Sequence, residues 1–87
     1  MPDPDLGILV GQRLYARRKK LKMTQARLAS MTGMTQGSIA RIETGKAKEV
    51  ESSTLIALAQ ALDVTTDWLL GLTPDEEEDE HLIGAQA

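Results

Sequence analysis

Gln36, Ser38 and Arg41 are the residues of this chain whose types and spacing offer a chemistry. All three fall outside the apolar stripe that Ile39 and Ile42 would form on a helix. A glutamine amide carries a donor and an acceptor side by side and can bond bidentately to adenine. An arginine fork matches guanine or a phosphate, and a serine hydroxyl is a weaker, adaptable group. Such side chains hydrogen-bond to base edges or phosphates instead of filling a core. Catalysis finds no comparable support. His81 is the one histidine, cysteine is absent, and no glycine-rich phosphate loop or paired carboxylates stand out. The lack of ligands also argues against a metal site, so the chain reads as a non-enzyme without a cofactor.

The stretch that must position these residues runs from Thr24 to Gly45, and it reads as two short helices joined by a tight turn. Each helix opens on Met-Thr-Gln, at Met23-Thr24-Gln25 and again at Met34-Thr35-Gln36. The threonine can cap the first turn, and the methionine before it can staple onto Leu28 or Ile39 at the fourth helical position. Gly33 supplies the permissive backbone for the reversal between them. Leu28, Met34, Ile39 and Ile42 then share one small core between crossed helices, and Ala29 is small enough to let the second helix, Gln36 to Thr44, approach closely.

This combination resembles the helix-turn-helix of the phage repressor and Cro-type (XRE) family of DNA-binding proteins, and the likeness extends over roughly residues 10 to 72, through the final ALDVTTDWLLG. The resemblance implies an all-α, five-helix, lambda-repressor-like domain that binds double-stranded DNA as a homodimer on an inverted repeat. Its second motif helix would lie in the major groove. It further implies that Gln36, Ser38 and Arg41 read bases, and that Gln25 clamps a phosphate facing the amides at its helix start. Thr24, Thr35, Thr44, Lys46 and Lys48 would contact the DNA backbone and set affinity and salt dependence. Arg18 and Glu43 match a structural ion pair of the family. Thr66, Leu69 and Leu72 are the expected dimer contacts.

Two departures from the family pattern bear on recognition. Gly37 stands where relatives often place a base-reading side chain. The connection after Gly45, Lys46-Ala47-Lys48-Glu49-Val50-Glu51, begins with the expected bases and then adds two acids.

The remainder of the chain is scaffold in this reading. Leu9 to Lys22 is expected as a first helix, with Val10, Leu14 and Leu21 on one stripe, Asp3 or Asp5 as cap, and Gly7 and Gly11 weakening its start. Of the basic run Arg17 to Lys20, one or two of the four are expected to meet phosphates, and the others form a solvated face. Ser52 or Ser53 is expected to cap a fourth helix built on Leu55, Leu58, Ala59, Ala61 and Leu62. Val64 to Gly71 gives a cap, a short fifth helix around a buried Trp68, and a glycine stop. Residues 1–8 then form an arm, 9–72 the DNA-binding domain and 73–87 an acidic tail. The tail either frays or continues from the cap signal Thr73-Pro74-Asp75-Glu76 into a short sixth helix.

Eighty-seven residues allow one domain with a modest core, burying a little over roughly 60% of the unfolded chain's surface. The net charge of −3 conceals a partition: residues 1–48 carry all ten Lys and Arg against three acids, whereas residues 49–87 carry ten acids and no Lys or Arg. An acidic total is therefore compatible with a nucleic-acid partner of the basic half. The absence of cysteine suits a reducing cytoplasm, prokaryotic or phage-borne, and no apolar run approaches the ~20 residues of a membrane span. The expected function is a transcriptional regulator, a repressor by its short length. The alternatives are an antitoxin that binds both operator and toxin, and a protein-interaction module that has lost DNA binding.

Overall fold

The computed structural model describes residues 6–47 and 49–74. Five helices follow one another: α1 (Leu6–Lys20), α2 (Gln25–Thr32), α3 (Gln36–Glu43), α4 (Ser52–Leu62) and α5 (Thr66–Leu69), with no strand among the described residues. None of these helices is long and apolar enough to cross a membrane.

Local chemistry specifies most of the breaks. Thr24 Oγ1 accepts from the Arg27 amide, Thr35 Oγ1 from the Ser38 amide and Thr65 Oγ1 from the Trp68 amide, each at 3.0 Å. Each threonine satisfies an amide that the first helical turn leaves unpaired. Gly33 closes α2 in the left-handed region at φ 77°, a conformation that costs glycine little. The Met34 amide then bonds back to the Ala29 carbonyl, so the turn into α3 is closed by its own backbone.

The core gathers side chains from every helix: Val10 and Leu14 from α1, Leu28 and Ala29 from α2, Ile39 and Ile42 from α3, Leu58, Ala59 and Leu62 from α4, and Trp68 and Leu69 from α5. Met23 and Met34, which precede the two motif helices, pack against it from the edge. α1 runs beneath the motif and touches α3, α4 and α5. Its contact with α3 is backbone-close at Gly11, where an added Cβ would sit on the Ile42 carbonyl oxygen and within 2.9 Å of that of Glu43. The glycine that weakens α1 by propensity is the one that lets α3 lie against it.

Several expectations need correcting. α1 begins at Leu6, three residues before the expected Leu9, and ends at Lys20; Leu21 lies beyond it and is exposed instead of sharing the Val10–Leu14 stripe. Left-handed Lys22 (φ 56°) redirects the chain there, and the Met23 amide bonds to the Arg18 carbonyl. Neither Ser52 nor Ser53 caps α4. The cap position is Glu51, whose side chain makes no capping bond, and both serines already lie inside the helix. The proposed caps Asp3 and Asp5 and the tail from Asp75 onward lie outside the described residues.

The other end of α4 is closed by a group from α1. Arg17 Nε donates to the Leu62 carbonyl at 2.9 Å, a cation placed at the negative end of a helix. One turn earlier on α1, Arg13 donates to the carbonyls of Trp68 (2.7 Å) and Thr73 (3.0 Å), and its guanidinium lies 5.0 Å from the Trp68 ring centroid. Two cations of the basic half therefore hold α4 and α5 against α1.

Candidate nucleic-acid interface

On α3, Gln36, Gly37, Ser38 and Arg41 are all exposed, while Ile39 and Ile42 are buried beneath them. The three expected base readers are therefore all open to solvent on a helix whose Ile39 and Ile42 are held by the core. The N-termini of α2 and α3 are both capped by threonine, which leaves further first-turn amides of each helix available to an anion. The Thr24 oxygen accepts its cap bond and keeps its hydroxyl proton to donate outward, whereas Thr35 both accepts its cap bond and donates to Ser38 Oγ at 2.9 Å. Ser38 keeps its own hydroxyl proton to donate outward.

Behind this surface lies the Arg18–Glu43 pair. Arg18 Nε and Nη2 donate to the two carboxylate oxygens at 2.5 and 2.9 Å, and Nη1 donates to the Met23 carbonyl at 2.8 Å. Both side chains are nearly closed off from solvent, at 8% and 3% exposure, so the pair stands where an unpartnered charge would be costly. Its hydrogen bonds to Glu43 raise the pKa of Arg18, outweighing the opposing effect of burial. The pair joins the last turn of α1 to the last turn of α3 and so sets the angle at which α3 is presented.

Gln25 connects that pair to the surface. Its Nε2 donates to Glu43 Oε1 at 2.9 Å, and its Oε1 accepts a long bond of 3.4 Å from Gln36 Nε2. The expected phosphate clamp and the expected base reader are therefore in register with each other and with the buried carboxylate.

The remaining expected contacts divide. Lys46 is exposed beside the motif, and Lys48 lies outside the described residues. Thr44 turns its hydroxyl back on α3, donating to the Ala40 carbonyl at 3.0 Å with a second approach to that of Arg41 at 3.2 Å, and its amide also bonds to Ala40. In this arrangement Thr44 closes α3 and has no free donor for a phosphate. Of the basic run, Arg17 and Arg18 are committed to internal bonds, and Lys19 lies 5.9 Å from the Tyr15 ring. Among the expected dimer contacts, Leu69 must be withdrawn: it is fully buried in the core and has no surface to offer, whereas Leu72 is 71% exposed and Thr66 is half-buried at the surface.

Sequence reasoning missed Arg13 and Arg17 as anchors and Gly11 as the point of closest helix approach. The signal available for the first two was their i, i+4 spacing on a helix that must face other helix ends. Also unforeseen is an open cleft of about 280 Å³ between α3 and the loop that leads to α4. Its lining includes Ser38 and Arg41 of α3, Glu49, Val50 and Glu51 of the loop, and Thr54 of α4.

Comparison with known proteins places this geometry. The family model described as Helix-turn-helix matches residues 14–69. The chain is 42% identical over 62 residues to repressor protein C2 of Salmonella phage P22, covering 71% of this chain and 28% of that protein's length. It therefore spans under a third of that curated relative. A crystal structure of the P22 c2 repressor in complex with a synthetic operator superposes with a TM-score of 0.66 at 39% identity, over 70% of this chain and 91% of that one. The restriction-modification controller protein C.AhdI from Aeromonas hydrophila gives 0.68 at 28% identity, over 72% and 94%. The same fold also occurs inside a longer enzyme, the hydroxypropylphosphonic acid epoxidase from S. wedmorenis, at a TM-score of 0.72 and 28% identity over 78% of this chain but 36% of that one.

Proposed function

The chain belongs to the helix-turn-helix family, and from that premise we propose that it is a sequence-specific regulator of transcription that binds double-stranded DNA and acts as a repressor. The observation that carries this reading is the exposed row Gln36, Ser38 and Arg41 on α3, set on a buried base and flanked by two capped helix N-termini. α3 enters the major groove, Gln36 pairs with adenine, and Arg41 takes guanine or a phosphate, each good base contact contributing about 1–3 kcal/mol of discrimination. Amides at the start of α2, with the second N–H of the Gln25 amide, hold a phosphate and fix the register. Lys46 and Lys48 add affinity without sequence information.

One such module reads few base pairs, so the functional unit is a homodimer on an inverted repeat, joined through the surface around Thr66 and Leu72. The relative named as a repressor and the neighbour solved on an operator support this reading. The module performs no catalysis of its own and works in a prokaryotic or phage-infected cytoplasm. Selection of bound duplexes from a randomised pool at near-physiological salt tests it. An enriched inverted repeat is the expected result, and retention of DNA without any enriched sequence would overturn it.

A further inference from the structure

The hydrogen bonds from Glu43 to Gln25 and from Gln25 to Gln36 have a direction, and the direction carries information. A glutamine amide is nearly symmetric in shape, so either end can occupy a given place, and only its partners decide which end does. An ionised carboxylate accepts and cannot donate. Glu43, held by the fork of Arg18, therefore admits only the NH2 end of Gln25, which lies 2.9 Å away. The oxygen of Gln25 must then face the other way, toward Gln36, and there it admits only the NH2 end of Gln36, at 3.4 Å. Gln36 is left with its oxygen and one N–H for a base. Adenine presents a donor at N6 and an acceptor at N7, and a reversed amide would set donor against donor and acceptor against acceptor.

We infer that the buried Glu43 carboxylate sets the donor–acceptor polarity of Gln25 and Gln36 in series, and so acts as a positioning residue for the base preference of α3. The inference rests on the DNA-binding reading above. It assigns the Arg18–Glu43 pair a task that holding α1 against α3 does not require, since a well-packed apolar pair of similar volume can replace a buried ion pair without loss of stability. Such an apolar pair would keep the helices together and leave both amides free to reverse.

The test uses that difference. The base pair read by Gln36 is first located as the position whose preference is lost in Gln36→Ala. In the double variant Arg18→Met/Glu43→Leu, shown to be folded by its thermal transition, preference at that one position is expected to fall by roughly five- to tenfold while the other positions keep theirs. Unchanged preference there in a folded double variant would overturn the inference. Should the double variant not fold, Gln25→Met leaves the ion pair in place and is expected to produce the same position-specific loss on top of a uniform drop in affinity. A uniform drop alone would count against the inference.

A second measurement needs no DNA. In the free protein, the side-chain amide signals of Gln25 in a 15N correlation spectrum should move on Glu43→Gln, and those of Gln36 should move on Gln25→Met. Signals that stay in place would overturn the polarity relay. Failure of the wild type to select any duplex would instead count against the DNA-binding reading, so the two failures are distinguishable.

Discussion

At Gly37 nothing inside the protein requires a glycine. The nearest atom an added Cβ would meet is Thr35 Oγ1, at 4.0 Å, and the residue is exposed in the first turn of α3. Gly37→Ala should therefore stabilise the free protein by about 0.5–1 kcal/mol, seen as a melting temperature higher by a few degrees. If the helix approaches the groove closely at this point, the same variant will bind its selected duplex more weakly despite its greater stability. A higher melting temperature with unchanged affinity would place Gly37 away from the DNA. Arg41 gives the opposite pattern. It is exposed, so Arg41→Ala should leave the thermal transition within about 0.5 kcal/mol of the wild type while lowering affinity for the selected duplex by about 1–3 kcal/mol and relaxing preference at one position. Duplex competition against substituted sites checks it, and retained preference at every position would remove Arg41 from the readers.

Between residues and molecule stand the helix ends, and there the sequence was most legible. Thr24, Thr35 and Gly33 act as the chain order says, because a cap or a left-handed stop is completed by backbone three or four residues away. Thr35→Ala should accordingly cost about 1 kcal/mol, lowering the denaturant midpoint and leaving its slope unchanged. The same local logic misplaced the start of α4, where two serines follow one another and the backbone begins the helix at the first. What was not legible depends on partners distant in the chain. Gly11 reads as a weak helix residue until α3 is laid across it with two carbonyl oxygens facing the missing Cβ. Gly11→Ala would push against backbone instead of a flexible side chain, and overpacking of that kind costs typically 1–3 kcal/mol; chemical denaturation should show a loss of at least that size. Arg13 and Arg17 are ambiguous in the sequence because an arginine side chain can reach water, a phosphate or a helix C-terminus with equal ease. Only the placement of α4 and α5 selects the last. Leu69 failed as a dimer contact for a related reason: in a helix of four residues, one position decides between core and surface.

Across the whole molecule, the partition of charge matters more than its total. The basic half supplies the motif, yet two of its arginines hold α4 and α5 and a third is neutralised by Glu43, so the field offered to DNA is weaker than ten cations suggest. The acidic half begins at Glu49, and Glu49 and Glu51 open onto the same cleft as Arg41 and Ser38. Carboxylates that line a cleft shared with the reading surface repel phosphates whatever the base sequence, so they penalise every duplex alike. A correctly matched site offsets this through its base contacts, and a random one does not. Neutralising both in Glu49→Gln/Glu51→Gln should therefore raise affinity for a random duplex severalfold at low salt, and the gain should shrink as ionic strength rises, because the Debye length contracts from about 30 Å at 0.01 M to about 8 Å at 0.15 M. Binding isotherms for the selected and a scrambled duplex across that range decide the matter. Equal affinities for variant and wild type at 0.01 M would mean that the acids face away from bound DNA. A gain that persists undiminished at high salt would point instead to a direct contact that the glutamines make and the glutamates cannot.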